Sequence, residues 1–162
     1  PRRLDLEEWR DAMLVASGTL DPAMGGASID IDSLKNRRRT IYATVHRRDM
    51  SPTFMIHDFP DPTQHSSQRA HTLTAIQGLY ALNSPLMAVQ SRTLVQQHSD
   101  RTLEAMRTGI MDIHWRLFSR PPTEHEIALG QEFLGKESLN MQDSWRQYAH
   151  VLLASNEFLF VD

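Results

Sequence analysis

Apolar residues recur every three or four positions over most of this chain, the spacing that lines one face of an α-helix. Side chains at this spacing form a continuous seam, so we expect most of them to be buried against neighbouring helices. The pattern predicts a mainly α, bundle-like domain with five or more helices. The most regular run lies within residues 100–118, where the apolar positions are Leu103, Met106, Ile110, Ile113 and Leu117.

Polar capping residues indicate where several of these helices begin. Thr123 and Glu126 have the three-residue separation of a capping box, in which each side chain bonds to the backbone N–H of the other residue. Ser84 is a suitable N-cap before Pro85, because the first turn of a helix does not need the N–H that proline lacks. Together with the apolar period, these signals predict helices over about residues 6–17, 73–82, 85 onward, 100–118, 123–135 and 141–156.

The apolar period shortens to two between Ser28 and Ile56, as in a strand whose side chains alternate between two faces. This region therefore predicts a small β hairpin or short strands near residues 28–56. A hairpin alone is marginally stable in water, so we expect its apolar face to rest on the helices. The alternating positions are Ile29, Ile31, Ile41, Ala43, Val45, Phe54 and Ile56.

Length and composition fit one globular domain over residues 1–162. With 162 residues and 40% hydrophobic content, the chain is large enough to bury roughly 70% of its unfolded surface. It contains no cysteine, which excludes disulfides, thiolate nucleophiles and covalent c-type haem attachment within these residues. No apolar run approaches the roughly 20 residues of a membrane helix, so no membrane span is predicted. A helical pattern begins at once without an initiator methionine, so we expect a domain excised from the C-terminal part of a longer protein.

The charge pattern favours a protein partner over nucleic acid. The net charge is -3, which argues against general attraction to phosphates. Arginine nevertheless dominates the cations, and five arginines lie in residues 37–48 without an intervening acid. Arginine and aromatic side chains contribute most to interface energetics, although solvated arginines paired with nearby aspartates are the alternative. The predicted interaction residues are Arg37, Arg38, Arg39, Tyr42 and Phe59.

One loop concentrates candidate metal ligands. His57, Asp58, Asp61 and His65 offer imidazole and carboxylate groups, which suit zinc or another transition metal. Their spacing matches no established site, and the prolines at positions 60 and 62 hold the loop extended. We therefore expect these side chains not to converge on a metal ion.

The sequence assigns no catalytic residue and no cofactor. Ser28 follows two glycines and Ser155 is near Glu157, but neither stands in a strand-to-helix elbow with a paired histidine nearby in sequence. Gly25 and Gly26 lack the lysine and the following helix of a phosphate-binding loop. His114 lies one position beyond the buried seam, which favours a boundary residue over a general base.

Several strings, in their order along nearly the whole chain, resemble a planctomycete domain of unknown function. That family forms the C-terminal part of large exported proteins, many of which carry cytochrome-c-like modules upstream. The resemblance implies an extracytoplasmic location in a multidomain bacterial protein, and it brings no catalytic residues. The strings are RRRTIYATVHR from Arg37, DFPDP from Asp58, AIQGLYALNSP from Ala75, WRLFSRPPTEHEIA from Trp115 and LLASNEFLFVD from Leu152.

Two functions follow as hypotheses. In the first, the chain is a noncatalytic helical interaction or structural domain that packs against its own upstream domains or a partner. In the second, it is an accessory part of a hydrolytic or redox active site that upstream domains complete. A flat arginine and aromatic surface would favour the first, and a deep pocket joining His57, Asp58 and Asp61 would favour the second.

The last residues of the chain are apolar and would form an adhesive patch if they were free. We therefore expect Phe158 and Leu159 to dock into the helical core. Asn156 and Glu157 are expected to hold this end by bonding to backbone groups or arginines.

Overall fold

Eight α-helices and two short strands account for the regular structure in the computed structural model, which describes residues 1–136 and 140–161. The mainly α prediction, with five or more helices, is confirmed. None of the described helices is both long and apolar enough to cross a bilayer. In chain order the elements are β1 (Arg2–Arg3), α1 (Leu6–Ala16), a 3-10 turn (Thr40–Tyr42), α2 (Pro52–Ile56), α3 (Ala75–Asn83), α4 (Pro85–Leu94), α5 (Leu103–Phe118), α6 (Glu124–Leu134), α7 (Met141–Leu153), α8 (Asn156–Leu159) and β2 (Phe160–Val161).

Side-chain caps fix the start of every described helix after α1. A serine, threonine or asparagine precedes each of them, and its side-chain oxygen accepts a hydrogen bond from a backbone N–H of the first turn. The predicted helix over residues 141–156 is interrupted for this reason, because α7 ends at Leu153 and Ser155 caps a new helix. The caps are Ser51, Thr74, Ser84, Thr102, Thr123, Asn140 and Ser155.

The two strands pair the ends of the chain. Arg2 lies opposite Val161 and Arg3 opposite Phe160 in an antiparallel register. A minor β element therefore exists, but its predicted location near residues 28–56 was wrong. That region contains an isolated bridge between Ile29 and Ala43, the 3-10 turn and α2.

A first core lies between α4, α5, α6 and α7. Its members include Ile110 and Ile113 of α5 and Trp145 and Ala149 of α7, all of them at most 1% exposed. A Cβ atom at Gly109 would lie 2.6 Å from Cη2 of Trp145. Only glycine therefore permits α5 to approach α7 this closely.

The predicted seam of α5 faces this core. Met106, Ile110 and Ile113 are buried, and Leu117 is partly buried against the same side chains. Leu103 differs, since its side chain is 68% exposed at the first residue of the helix. The expected burial of most of the seam is confirmed, and the expected burial of Leu103 was wrong.

A second core lies around α1 and includes side chains from the end of the chain. Leu6, Trp9 and Met13 of α1 are buried there with Phe54 of α2 and Phe158 of α8. The helices α4 and α7 reach this core as well, since they contribute Met87 and Leu153 to it.

A buried arginine attaches the irregular segment between α1 and α2. Arg10 is 1% exposed and donates hydrogen bonds to the carbonyl oxygen of Asn36 at 2.7 Å and to that of Arg38 at 3.0 Å. It also donates to Oγ1 of Thr40 at 3.1 Å, and the carboxylate of Asp11 lies 3.9 Å away. These acceptors take the place of the water that a guanidinium loses on burial.

The predicted docking of Phe158 and Leu159 and the predicted arginine contact of Glu157 are confirmed. Phe158 is buried in the second core, and Leu159 packs against it. The N–H of Leu4 donates to the carbonyl oxygen of Leu159 at 2.9 Å, next to the paired strands. Glu157 accepts hydrogen bonds from Arg120 at 2.6 and 2.8 Å, so an ion pair also holds this end.

We predict that Phe158→Ala lowers the free energy of unfolding by about 3–5 kcal/mol, because it empties a buried site that neighbouring helices cannot refill. Truncation after Ser155 should cost at least as much, since it also removes β2 and the contacts of Glu157. Urea unfolding followed by circular dichroism measures both changes. Val161→Ala is the control, because that side chain is 41% exposed and its loss should cost less than about 1 kcal/mol. Equal stabilities for Phe158→Ala and the unchanged chain would contradict this docking.

Candidate binding surfaces

His57 lies in an aromatic enclosure within the second core. Its ring stacks on Trp9 at 5.4 Å between centroids and meets the edge of Tyr80 at 4.8 Å. Its Nδ1 atom is 2.8 Å from the carbonyl oxygen of Thr53. Burial lowers the pKa of His57, because the charged imidazole would lose its hydration there. The residue therefore acts as a neutral packing group in this structure.

Asp58 is engaged in a hydrogen-bond network beside this enclosure. Its carboxylate accepts from the N–H and the hydroxyl of Thr72, each at 2.8 Å, and from Nε2 of Gln77 at 3.0 Å. Burial alone would raise the pKa of Asp58, but these donors lower it below its ordinary value. The backbone of Asp58 has a φ of 57°, in the left-handed region that residues other than glycine adopt only occasionally.

The remaining metal candidates have other surroundings. Asp61 accepts hydrogen bonds from the N–H and hydroxyl of Thr63 at 2.8 and 2.7 Å, and His65 is exposed. His57 and Asp58 border a cavity of only about 20 Å³ that Asp61 and His65 do not line. Within residues 1–136 and 140–161, no group of three histidine or acidic side chains is placed to hold a metal ion.

Arg38 and Tyr42, two of the predicted interaction residues, contact each other. The guanidinium of Arg38 lies 4.1 Å from the centre of the Tyr42 ring and donates to the carbonyl oxygens of Ala27, at 2.7 Å, and Gly25. The hydroxyl oxygen of Tyr42 accepts from the N–H of Gly25 at 2.8 Å. Gly25 and Gly26 have φ values of 73° and 86°, which glycine adopts readily. The pair thus organises the loop over residues 23–27.

Arg39 and Phe59 line one cleft of about 590 Å³ between α1 and the segment that Arg10 attaches. Ile41, which is 73% exposed, extends its apolar wall. The acidic residues on its α1 side are already engaged: Glu7 pairs with Arg69, and Asp11 accepts from Thr40. Arg37 lies outside this cleft with an exposed side chain.

Helix α3 has its polar and apolar sides reversed. Gln77 is 2% exposed and bonds to the carbonyl oxygen of Ile56 at 2.9 Å, to Asp58 and to Arg3. Ala81 is the other buried residue of this helix. The large aliphatic side chains lie outside instead, each more than half exposed, whereas the ring of Tyr80 packs against the second core. The exposed residues are Leu73 just before the helix, then Ile76, Leu79 and Leu82. We call these four residues the α3 stripe.

An apolar groove of about 410 Å³ runs between α6 and α7, with α5 beneath it. Its walls are Phe118, Leu129, Phe133, Val151 and Leu152. We call this feature the α6–α7 groove.

The groove has one polar end. His114 is 1% exposed there, and its Nε2 atom lies 3.3 Å from the hydroxyl oxygen of Tyr148. Burial lowers the pKa of His114 and raises that of Tyr148, so both groups are neutral at pH 7. Glu126 and Glu157 flank them, with Arg120 between the two carboxylates at 2.7 and 2.6 Å.

Sequence reasoning missed the α3 stripe and the groove. The stripe had a local signal, since residues 75–82 contain no charged side chain and hold their only long polar residue at Gln77. The groove had none, because His114 and Tyr148 are far apart in the chain and meet only through helix packing. His114 was expected at the boundary of the core, and it is buried instead.

A family model, PSD1: Protein of unknown function (DUF1553), matches residues 1–134. The match covers most of the chain, so this chain belongs to that family. The expected resemblance to a domain of unknown function is thereby confirmed. No curated protein and no solved structure shows a significant match to the chain.

We predict that Arg38→Lys loosens the loop over residues 23–27. Lysine has no planar group to stack on Tyr42, and it lacks the rigid fork of donors that bonds to the carbonyl oxygens of Ala27 and Gly25. Amide hydrogen exchange in residues 23–27 should accelerate, and the free energy of unfolding should fall by about 1 kcal/mol. Arg37→Lys provides the control, because that side chain is exposed and should change neither quantity. The same exchange rates in both variants would show that Arg38 does not organise this loop.

We predict that the ion pair of Arg120 and Glu126 makes stability depend on pH in acid. The hydrogen bonds from Arg120 lower the pKa of Glu126 to about 2, below the roughly 4.3 of an unfolded chain. The stabilisation is therefore complete above the unfolded value and is lost as pH falls towards 2. Arg120→Met should reduce this dependence and lower stability at pH 7 by about 1 kcal/mol, because both groups are partly exposed.

Arg107→Met is the matched control for this titration. Arg107 pairs with Glu124, whose side chain is 80% exposed, so water screens the pair strongly. Urea unfolding from pH 7 to pH 2 should show a flatter profile for Arg120→Met than for Arg107→Met. Identical profiles would contradict the assignment to Glu126.

Proposed function

We propose that this member of the PSD1 family is a noncatalytic helical interaction domain, which packs against other domains of a longer polypeptide or against a protein partner. The α3 stripe carries this proposal. A helix of a water-soluble domain normally turns its apolar side inward and its polar side to solvent. The reversal in α3 leaves a row of aliphatic side chains that another protein surface would cover.

The way in which α3 is held supports the same conclusion. Gln77 fixes the helix through polar contacts to Ile56, Asp58 and Arg3, so the stripe need not turn inward to anchor it. The helix is therefore oriented before any partner arrives. A pre-oriented apolar row loses little conformational freedom on binding, which favours affinity.

The arginine and aromatic residues belong to the proposal as a second contact region. Arg39 and Phe59 share the cleft beside α1, and Ile41 adds an exposed apolar side chain to it. Arg37 is also exposed. Arg38 and Tyr42 would act there mainly by holding the neighbouring loop in shape.

The biological context of the proposal comes from the sequence strings described above. They favour an exported bacterial protein of planctomycete type, with this domain in its C-terminal part and cytochrome-c-like modules elsewhere in the polypeptide. The proposal accordingly places the domain outside the cytoplasm and assigns it no cofactor and no nucleic acid partner.

The alternative, a contribution to an active site completed by upstream domains, would draw support from a deep pocket joining His57, Asp58 and Asp61. The described structure places His57 and Asp58 at a cavity of about 20 Å³, with Asp61 elsewhere. This geometry supports the interaction domain over the shared active site.

We predict that Ile76→Gln combined with Leu79→Gln weakens binding to the preceding part of the polypeptide at least tenfold. Two aliphatic side chains that the proposed interface would bury are replaced by amides, which must lose their hydration there. The unfolding free energy of the chain itself should change by less than about 0.5 kcal/mol, because both side chains are exposed. Isothermal titration calorimetry with the separately expressed preceding part measures the affinity.

Leu103→Gln is the control, since Leu103 is an equally exposed aliphatic residue outside the stripe. A photo-crosslinking amino acid at position 79 of the full-length protein supplies an independent readout, with the same group at position 103 for comparison. Cross-links from position 79 to residues outside this domain, or to another protein, support the proposal. An absence of such cross-links, or equal yields from both positions, would overturn it.

A further inference from the structure

The α6–α7 groove has the size and lining of a small-molecule site. Its volume of about 410 Å³ falls within the roughly 300–1,000 Å³ of typical ligand pockets. Phe118 and Phe133 provide flat aromatic walls, and Leu152 provides an aliphatic one. Leu129 and Val151 border the groove and remain 52% and 63% exposed. An apolar or aromatic body of modest size would fit this space.

The polar end of the groove contains a buried group with unused hydrogen-bonding capacity. His114 is 1% exposed, and its Nδ1 atom has no hydrogen-bond partner in the described residues. Its other nitrogen faces the hydroxyl of Tyr148. Polar atoms in native interiors are almost always satisfied, so an unpaired imidazole nitrogen at a ligand-sized groove suggests an absent partner.

The charged side chains at this end of the groove favour a ligand of one charge over the other. Glu126 receives four donors, two from Arg120 and two from Thr123, so its carboxylate is saturated. Among the described residues, Glu157 receives donors from Arg120 alone, and its side chain is 45% exposed. No lysine or arginine is among the described residues that line the groove. The local sum of two carboxylates and one guanidinium is one negative charge.

We propose that the α6–α7 groove binds an amphipathic organic cation, with its apolar body between α6 and α7 and its ammonium group beside Glu157. The hydroxyls of Tyr148 and Ser155 lie at the same end and supply neutral hydrogen-bonding groups. At the polar end, a carboxylate ligand would meet Glu157 and Glu126, and the guanidinium of Arg120 is already paired with both of them. This site is separate from the α3 stripe and does not depend on the proposed interaction function.

Three probes with one phenethyl body and different heads test the proposal: phenethylamine, phenethyl alcohol and hydrocinnamate. Each is titrated into the 162-residue chain at pH 7 while amide and methyl NMR signals are recorded. We expect phenethylamine to bind about fivefold more tightly than hydrocinnamate, the effect of one partly exposed ion pair, with the alcohol between them. The shifted signals should cluster on α5, α6 and α7 around the groove.

Variants of the chain distinguish the contribution of a probe's charged head to the affinity from that of its apolar body. Glu157→Gln should bring the affinities of the amine and the carboxylate close together, whereas Glu124→Gln, an exposed glutamate at the start of α6 outside the groove, should leave their ratio unchanged. Val151→Arg should weaken the binding of all three probes severalfold, because it places a charged side chain across the apolar wall. Thermal unfolding of each variant verifies that it remains folded.

Several outcomes would overturn the proposal. Tighter binding of hydrocinnamate would reverse the assigned charge preference, and shifts outside the groove would move the site. An absence of binding by all three probes would exclude a small-molecule site of this kind. A concentration-dependent dimer whose interface covers Leu129 and Val151 would identify the occupant as a second copy of the chain instead.

Discussion

The packing of α7 against α4 connects the two hydrophobic cores. Trp145 of α7 and Leu94 of α4 belong to the core beneath α5 and α6, whereas Leu153 and Met87 of the same two helices belong to the core around α1. A shift of either helix would therefore disturb both cores. Close-packed interiors transmit such shifts because they contain few voids that absorb them. The groove between α6 and α7 and the α1 region are consequently parts of one mechanical unit.

Hydrogen bonds from Arg10 hold a part of the chain that has no regular secondary structure, as side-chain packing holds the helices. The segment over residues 17–39 has no helix or extended strand, and the buried guanidinium of Arg10 bonds to two of its carbonyl oxygens. A buried charge is costly unless its hydrogen-bonding groups are satisfied. Here the carbonyl oxygens that accept hydrogen bonds from Nη1 and Nη2 of Arg10 also hold the segment against α1, whereas Nε of Arg10 has no partner among the described residues. That attachment positions Arg39 and Ile41 beside the cleft.

Local sequence signals predicted the helices well and long-range contacts poorly. Thr123 with Glu126 and Ser84 with Pro85 marked true helix starts, since a cap acts within three residues of itself. The alternation at Phe54 and Ile56 was misleading, because a run of five residues fits either a strand or a short helix. Ser51 and Pro52 decided in favour of the helix. The pairing of His114 with Tyr148 depends on how α5 and α7 pack, which no local pattern specifies.

The pairing of β1 with β2 has a consequence for the order of folding. It joins residues that lie near opposite ends of the sequence, so its loop-closure entropy is large compared with that of contacts between consecutive helices. Contacts of this kind usually form after the local ones have already shortened the effective loop. Two strands of two residues each are also too short to persist alone. The pairing of β1 with β2 should therefore form late during folding and be among the first contacts to break, and its loss would leave the adjacent α8 held by Phe158 and Glu157.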